Sequence, residues 1–372
     1  MCVVAIASPK QKPIAFWGIV GYNQFTKNKL GEMMNYPVYS LLGLDDSDYY
    51  IERPCDAMLY DLLKEGEYCH ILAPRKSGKT SLIVKTADKL RKNGVEAIDI
   101  SCLALESETY GVGFIYELVR SSSLVDILSR KDIHNFLLEV DRYGDLIKID
   151  QFFEDVLLPN IKTPIVIFVD NLEEIDSVVR EEFVTFVRSV SERSKGLDGE
   201  EYSRITFCLS GVFSFAGYRC PYNIGNEIHL DNFTINNFKS NQFYDNVDSV
   251  VIEKVLEWTD GQPYLTMLSL RLLEKRSISP EVLFEQVIEQ HLSIYSEWGS
   301  YLRCCYTCIM DKANKEDLIQ CYSQVLAGEK VTNSRLIEEL YLCGLVSRSN
   351  VVPKLIREIL NYELFTFNLS KS

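Results

Sequence analysis

The sequence APRKSGKT, residues 73–80, lies between a short apolar run and an amphipathic stretch of helical period. A loop that cradles phosphate needs converging backbone N–H groups, a helix N-terminus behind them, a lysine for the outer phosphates and a hydroxyl for Mg²⁺. Gly78, Lys79 and Thr80 occupy the positions that those parts require. The pattern departs from G-x-x-x-x-G-K-[ST] only at Ala73, and alanine fits there if its φ is negative. The stretch predicts a phosphate-binding loop; the alternative is a lysine-rich turn that caps an ordinary helix.

Around this loop, between residues 68 and 210, short apolar runs alternate with amphipathic stretches. Such alternation predicts a parallel sheet with crossover helices, one of them over residues 79–92 and another over residues 178–194. The runs that we interpret as strands are YCHILA (68–73), VEAIDIS (95–101), PIVIFVD (164–170), ITFCLSG (205–211) and, as one further strand, NEIHL (226–230).

After residue 232 the strand-like runs nearly disappear and apolar residues recur with a 3.6-residue period, which predicts a helical second domain. From about residue 297, several helices precede LCGLVSRSNVVPKL (342–355), which we interpret as a small hairpin that completes a winged-helix module. The predicted domains are therefore an unassigned N-terminal segment over 1–48, a core over 49–232, a helical lid over 233–295 and a winged-helix-like domain over 296–372.

Composition limits the classes of protein that fit. Of 372 residues, 47% are hydrophobic and 25% are charged, which is ordinary globular usage and argues against a largely disordered or fibrous chain. The net charge of −14 does not favour non-specific attraction to nucleic acid or to anionic membranes. No apolar run approaches the roughly 18 residues of a membrane span. The 11 scattered cysteines predict reduced thiols and a cytoplasmic protein.

The stretch PIVIFVDNLEEID (164–176) runs an apolar strand directly into acids. A carboxylate at such a strand end can hold the Mg²⁺ water shell beside the loop hydroxyl, and Asp170 is so placed. Glu174 is our first choice for the group that orients or deprotonates the attacking water, and Glu173 is the second. An acidic helix start is an equal alternative for either glutamate alone. Ser210, at the end of the next strand, is a candidate sensor of the γ-phosphate.

These motifs, taken in order, resemble the AAA-like ATPases of the STAND superclass, which are often fused to WD-type propeller repeats. The resemblance covers about residues 49–364 and rests on several successive blocks. They are YYIERP (49–54), APRKSGKTSL (73–82), VDNLEE (169–174), FCLSGV (207–212), RCPYNIGNEIHLDNFT (219–234) and WTDGQPYLT (258–266). The family itself commonly has Ala-Pro-Arg at the start of the loop. The resemblance implies an α/β P-loop NTPase fold of the AAA+/ASCE class, with strand order 5-1-4-3-2.

The resemblance also implies ATP or ADP with Mg²⁺ as cofactors, the metal being held by Thr80 and Asp170. Pro263 in the lid would pack near the adenine; a simple Gly-Pro helix break is the alternative. Arg219 would act as an arginine finger on a neighbouring subunit, although a free surface arginine is the commoner outcome. The other expected nucleotide contacts are Arg53, Pro74, Arg75, Lys76, Ser77, Gly78, Lys79, Thr80 and Ser81.

Three functions are consistent with the sequence. The first is a regulatory ATPase switch in signalling or defence, which hydrolyses ATP slowly and acts through a protein partner or a nucleotide-dependent homo-oligomer. The second is a DNA-associated regulator of transposition or replication, for which Lys354 and Arg357 are neighbouring cations. The third is a nucleotide-binding scaffold subunit that does not hydrolyse ATP.

One further motif, C-C-x-x-C at Cys304, Cys305 and Cys308, carries metal-ligand residue types. A zinc site wants a second pair at suitable distance, and only Cys321 and His291 are near in sequence. Buried thiols are therefore the favoured interpretation.

Overall fold

The computed structural model describes residues 50–105, 110–196, 199–212, 225–239, 247–289 and 299–360. Within these residues an α/β part is followed along the chain by a helical part. The change falls after the short strand Asn226–Glu227, close to the position that the sequence indicates. The α/β parallel-sheet fold class is confirmed, while the bounds of the four domains stay predictions.

The α/β part contains a five-stranded sheet in which every observed pairing is parallel. Its strands are β1 (Cys69–Leu72), β2 (Glu96–Ser101), β3 (Ile165–Asp170), β4 (Ile205–Gly211) and β5 (Asn226–Glu227). Their order is β2-β3-β4-β1-β5, which confirms the expected 5-1-4-3-2 read from the opposite edge. Since β3, β4 and β1 are adjacent and parallel, the residues at their carboxyl ends meet at one edge of the sheet.

Helices cover both faces of this sheet, so its central strands β3 and β4 are buried along their whole length. The α-helices of four or more residues are α1 (Pro54–Lys64), α2 (Lys79–Lys92), α3 (Tyr110–Arg120), α4 (Arg130–Glu139), α5 (Asp145–Phe152), α6 (Ser177–Arg193) and α7 (Gly199–Tyr202). Every residue of β3 is buried. Because side chains alternate along a strand, Ile165, Ile167 and Val169 join one hydrophobic cluster, whereas Val166 and Phe168 join the cluster on the other face.

Helix α2 begins and ends where the sequence predicts. Gly78 lies before its first turn with φ of 93°, a left-handed conformation that glycine adopts without strain. At the other end Asn93 and Gly94 terminate it, and Gly94 also has positive φ. The apolar face of α2, including Leu82, packs in the same cluster as β1. The loop 73–80 is therefore fixed between a buried strand and a buried helix.

The helical part lies after β5. Its described helices are α8 (Ile235–Lys239), α9 (Ser249–Thr259), α10 (Pro263–Arg276), α11 (Pro280–Glu289), α12 (Gly299–Met310), α13 (Lys315–Leu326), α14 (Ser334–Leu342) and α15 (Lys354–Ile359). Helices α9, α10 and α11 contact one another, and α15 returns to pack on α9 and α11. The helical character that the sequence predicts after residue 232 is confirmed.

The prediction of a hairpin before α15 is wrong. Residues 343–353 form turns, closed by a hydrogen bond from the Ser347 N–H to the Val351 carbonyl, with no strand pair. The six consecutive residues 342–347 are buried, whereas a half-buried hairpin strand alternates between buried and exposed positions. Gly344 and Asn350 have positive φ, as turns require. The winged-helix interpretation stays a prediction.

Candidate functional site

The loop 73–80 connects β1 to α2 and has the backbone shape of an anion cradle. Gly78 and Lys76 both have positive φ, of 93° and 61°. Ala73, the one departure from the motif, continues the sheet, because its N–H donates to the Gly211 carbonyl at 3.3 Å. Its φ is not in the left-handed region, so alanine fits without strain. The loop turns the N-terminus of α2 towards the edge of the sheet.

Lys79 lies inside this loop. Its side chain is buried, and Nζ donates to the carbonyls of Ala73 at 2.8 Å and Pro74 at 2.9 Å. Burial lowers the pKa of Lys79 to about 8, against a smaller opposite effect of the Glu173 and Asp170 carboxylates. A cation held in this way, with two neutral carbonyl partners, is well prepared to exchange them for phosphate oxygens.

Thr80 and Asp170 meet across the loop and the end of β3. The Thr80 hydroxyl donates to Asp170 Oδ2 at 2.6 Å, and the Asn171 N–H donates to Oδ1 at 2.9 Å. The two residues are 90 positions apart in the chain, and the fold brings them together. Asp170 is also buried. A hydroxyl and a carboxylate are hard oxygen donors of the kind that Mg²⁺ prefers. The pair that the sequence singled out as metal ligands is thus brought together.

Glu173 and Glu174 share one arginine partner from the loop. Both lie in a short 3₁₀ turn, Leu172–Glu174, directly after β3. Arg75 Nη2 lies 2.5 Å from Glu174 Oε1 and 3.7 Å from Glu173 Oε1. Glu173 also accepts a hydrogen bond of 3.0 Å from the Val212 N–H, just after β4. Both acids therefore face the phosphate loop, and Glu173 is the more tightly held of the two.

Ser210 lies level with Asp170 on the neighbouring strand, since the register pairs Val169 with Leu209. Its hydroxyl is fully buried and has no hydrogen-bond partner among the residues that the structure describes. A buried hydroxyl without a partner costs free energy, which a ligand oxygen at this edge would recover. Arg219, the candidate finger residue, lies outside the described residues.

Arg53 contacts the phosphate loop through its side chain. Its guanidinium is buried, donates to the Ser77 carbonyl at 3.0 Å and to the Asp231 carbonyl at 3.3 Å, and lies over the Phe233 ring. A Cβ at Gly78 would come within 3.0 Å of Arg53 Nη2, so the guanidinium would have to shift to make room for it. Arg53 thus positions the loop.

The helical part contacts the loop through the start of α10. The Gln262 side chain caps this helix by accepting from the Leu265 N–H at 2.7 Å, and its Nε2 donates to the Lys76 carbonyl at 3.1 Å. Lys76 Nζ lies 4.0 Å from the centre of the Tyr264 ring. Pro263 is buried as the first residue of α10. The GQP motif therefore forms the start of α10 and contacts the phosphate loop.

The C-terminal helices reach the same place. Tyr301 on α12 stacks on Tyr264 of α10, with ring centres 5.9 Å apart. A narrow cavity of about 20 Å³ lies between the loop and these helices. Its lining residues include Pro74 and Ser77 of the loop and, from the helical part, Pro263, Tyr301 and Val346. This volume corresponds to about one water molecule. A ligand larger than water would enter this cavity only if α10 or the C-terminal helices moved outward.

Several contacts at this site have no sequence signal of their own. Asn171 has φ of 60°, and this left-handed conformation turns the chain after β3. Its Nδ2 donates a hydrogen bond to the Ser101 hydroxyl at 3.2 Å. Gln262 carries the only available signal, a polar residue immediately before a proline at a helix start. Tyr264 and Tyr301 look like ordinary helix residues in the sequence.

The sequence model of a known family matches residues 42–365 of this chain, and its description is "AAA-like domain". The chain belongs to this family. The AAA-like P-loop ATPase resemblance is thereby confirmed, while the STAND subtype stays a prediction. The match includes the loop 73–80, Asp170 and the lid start at Pro263.

The chain is similar to a WD repeat-containing protein of Synechocystis sp., with 26% identity over 328 residues. That alignment covers 80% of this chain but only 27% of the length of the relative.

Solved structures with a similar arrangement share little sequence with this chain. The Aeropyrum pernix ORC2 protein, in ADPNP-ADP complexes, matches at 13% identity with a TM-score of 0.47, over 88% of this chain and 98% of that one. Cdc6p from Pyrobaculum aerophilum matches at 12% identity with a TM-score of 0.43, over 87% and 88%. AMPPCP-bound DnaA from Aquifex aeolicus matches at 14% identity with a TM-score of 0.40, over 88% and 91%. Likeness at this level says nothing about function.

Among the described residues, no helix is both long and apolar enough to span a membrane. The same residues contain no group of three or more His, Cys, Asp or Glu side chains suited to a metal ion.

Proposed function

We propose that this chain is an ATP-binding switch of the STAND/AAA+ type that hydrolyses ATP slowly and signals through a partner protein. The observation that carries the proposal is the 2.6 Å contact between Thr80 and Asp170, with Lys79 buried beside it. These three groups supply the hydroxyl, the carboxylate and the cation that an Mg²⁺-triphosphate needs.

In this proposal the loop N–H groups and Lys79 bind the β- and γ-phosphates, while Thr80 and Asp170 hold the metal. A metal held by these residues would neutralise charge on the phosphates. Glu174, or Glu173 as the second choice, accepts the proton of the attacking water. Ser210 donates its free hydroxyl to the γ-phosphate, and Arg219 acts from a neighbouring subunit.

The switch part of the proposal rests on contacts that join the C-terminal helices to the core and lid. Arg348 pairs with Glu227 of β5 at 2.8 Å. Lys354 pairs with Glu257 of α9 at 3.3 Å and lies over the Trp258 ring. Exposed pairs of this kind are worth about 0–1 kcal/mol each, so the packing of α15 on α9 and α11 is the larger barrier that nucleotide binding would have to overcome. Opening would expose a surface on the C-terminal helices to a partner protein or to a second copy of the chain.

The DNA-associated alternative has less support. Of its two neighbouring cations, Lys354 is already engaged by Glu257 and Trp258. The scaffold alternative predicts nucleotide binding without turnover, and the Glu174 experiment in the Discussion separates it from the switch.

The Asp170→Ala variant tests the metal assignment. We expect it to lose the Mg²⁺-dependent gain in ATP affinity and to stop hydrolysis, while nucleotide itself still binds, because Lys79 and the loop remain. The measurement is calorimetric ATP affinity with Mg²⁺ and with a chelator, for the parent and for the variant. Asp61→Ala, an exposed carboxylate on α1, is the matched control. Parent-like hydrolysis by Asp170→Ala would place the metal elsewhere.

The depressed pKa of Lys79 predicts that ATP binding takes up a proton. In the free protein Lys79 loses its proton as the pH rises through about 8. Phosphate oxygens favour the charged form, so the complex keeps that proton to higher pH and the affinity falls above pH 8. Calorimetry at pH 8.5 in two buffers of different ionisation enthalpy measures this uptake, with pH 6.5 as the control. Equal heats in both buffers at pH 8.5 would contradict the prediction.

A further inference from the structure

Arg75 joins the phosphate loop to the two acids that follow β3. Its Nη2 lies 2.5 Å from Glu174 Oε1 and 3.7 Å from Glu173 Oε1, so one guanidinium group faces both carboxylates. A general base needs an open carboxylate oxygen that can accept the proton of water. While the ion pair is closed, Arg75 therefore occupies one of the two oxygens of the candidate base Glu174.

The two acids are held differently. Glu173 accepts a hydrogen bond of 3.0 Å from the Val212 N–H, and its side chain is only 12% exposed. The Glu174 side chain is 31% exposed, and the Arg75 side chain is 50% exposed. An ion pair in contact with water contributes little net stability, because solvent screens it. The pair between Arg75 and Glu174 can therefore open easily, whereas Glu173 stays bound to the backbone after β4.

Arg75 also differs from two other cations at the loop. Lys79 is buried and donates to the Pro74 carbonyl at 2.9 Å. Arg53 is buried and donates to the Ser77 carbonyl at 3.0 Å. Arg75 is instead half exposed and pairs with carboxylates. Because Pro74 directly precedes Arg75, the Arg75 backbone lies beside the ammonium group that the outer phosphates would contact.

We propose that Arg75 distinguishes ATP from ADP by exchanging Glu174 for the γ-phosphate, and that this exchange frees Glu174 to accept a proton from water. A guanidinium group binds carboxylate and phosphate with the same planar fork, and a phosphate group carries the larger negative charge. This inference rests on the proposed ATP-binding function. To the nucleotide contact that the sequence resemblance implies for Arg75, it adds the phosphate that Arg75 recognises and the partner that it gives up.

The exchange would link recognition of ATP to activation of the base. ADP has no γ-phosphate, so with ADP the Arg75 side chain stays on Glu174 and the base remains paired. With ATP, both oxygens of Glu174 are open to water while Arg75 offsets charge on the γ-phosphate. The alternative is that the pair only fixes the loop against the end of β3, in which case it stays closed with either nucleotide.

Separate affinities for a triphosphate and a diphosphate test the recognition step. The probes are ADP and AMPPCP, an ATP analogue that resists hydrolysis, each titrated with Mg²⁺ into the intact chain. We expect Arg75→Ala to weaken AMPPCP binding by at least about tenfold and to change ADP binding by less than about twofold, because one charge-assisted contact is lost. Arg75→Lys keeps a cation and should recover part of this difference. Arg188→Ala, which removes an exposed arginine paired with Glu192 on α6, is the matched control and should bind both probes as the parent does.

A comparison of double variants tests the exchange itself. Glu174→Gln removes the carboxylate that competes for Arg75, and it also relieves repulsion between Glu174 and the γ-phosphate. In the Arg75→Ala protein, only the relief of repulsion remains. The gain in AMPPCP affinity from Glu174→Gln should therefore be about two- to fivefold larger when Arg75 is present, as expected for an exposed ion pair. Retained ADP binding shows that each variant is folded, and Arg75→Gln replaces Arg75→Ala if that variant is not.

Three outcomes count against the proposal. An equal or smaller gain in the presence of Arg75 would show that the pair stays closed, and would overturn the exchange. Equal losses of AMPPCP and ADP affinity in Arg75→Ala would reduce Arg75 to a structural contact, while nucleotide binding by the parent, and with it the proposed function, would stand. A parent protein that binds neither probe would instead reject the proposed function and this inference together.

Discussion

Lys79→Ala is expected to abolish measurable ATP binding. The Lys79 ammonium group is the cation that the loop holds at its centre, between the Ala73 and Pro74 carbonyls. Hydrogen bonds to charged groups contribute about 1.5–3 kcal/mol each, so loss of two such bonds to phosphate lowers the affinity by a factor on the order of 10² to 10⁴. Titration calorimetry with ATP and Mg²⁺ measures this loss directly.

The control for this variant is Lys92→Ala, which removes an exposed lysine from the last turn of the same helix. It should bind ATP as the parent does. The Lys79→Ala protein should remain folded, because the substitution removes a charge that burial disfavours. Unchanged nucleotide affinity in a folded Lys79→Ala protein would reject the phosphate-loop assignment.

Much of the α/β part could be predicted from sequence because its signals are local. The all-apolar run of β3 and the helical period of α2 each identify one element without reference to the rest of the chain. The strand order and the meeting of Thr80 with Asp170 then follow from the known arrangement of the family, and the structure shows both.

The contacts between distant elements could not be predicted in the same way. Arg75 and Glu174 are 99 positions apart, and nothing in either segment indicates that the loop arginine neutralises the candidate base. The prediction of a hairpin before α15 was wrong because Leu345 and Val346 are both buried. Their apolar character therefore reflects tertiary packing and does not indicate a strand.

Glu174→Gln is expected to bind ATP and to hydrolyse it more slowly by a factor on the order of 10² to 10⁴, the usual contribution of a general base. Glutamine keeps the size of the side chain but cannot accept the proton of water, and it also loses the ion pair with Arg75. Single-turnover hydrolysis and ATP retention after gel filtration measure the two effects. Glu182→Gln, an exposed residue on α6, is the control and should turn over as the parent does.

Comparison with Glu173→Gln identifies which acid is the base. Glu173 accepts from the Val212 N–H, so its substitution should disturb the end of β4 and affect turnover less than Glu174→Gln does. The reverse order would assign the base to Glu173.

If Arg219 acts across a subunit boundary, ATP-trapped Glu174→Gln should form a larger particle in light scattering than the ADP form does, and adding Arg219→Ala should reverse that shift. A parent protein with no measurable turnover and equal mass in ATP and ADP would instead support the scaffold, because binding would then occur without any change of state.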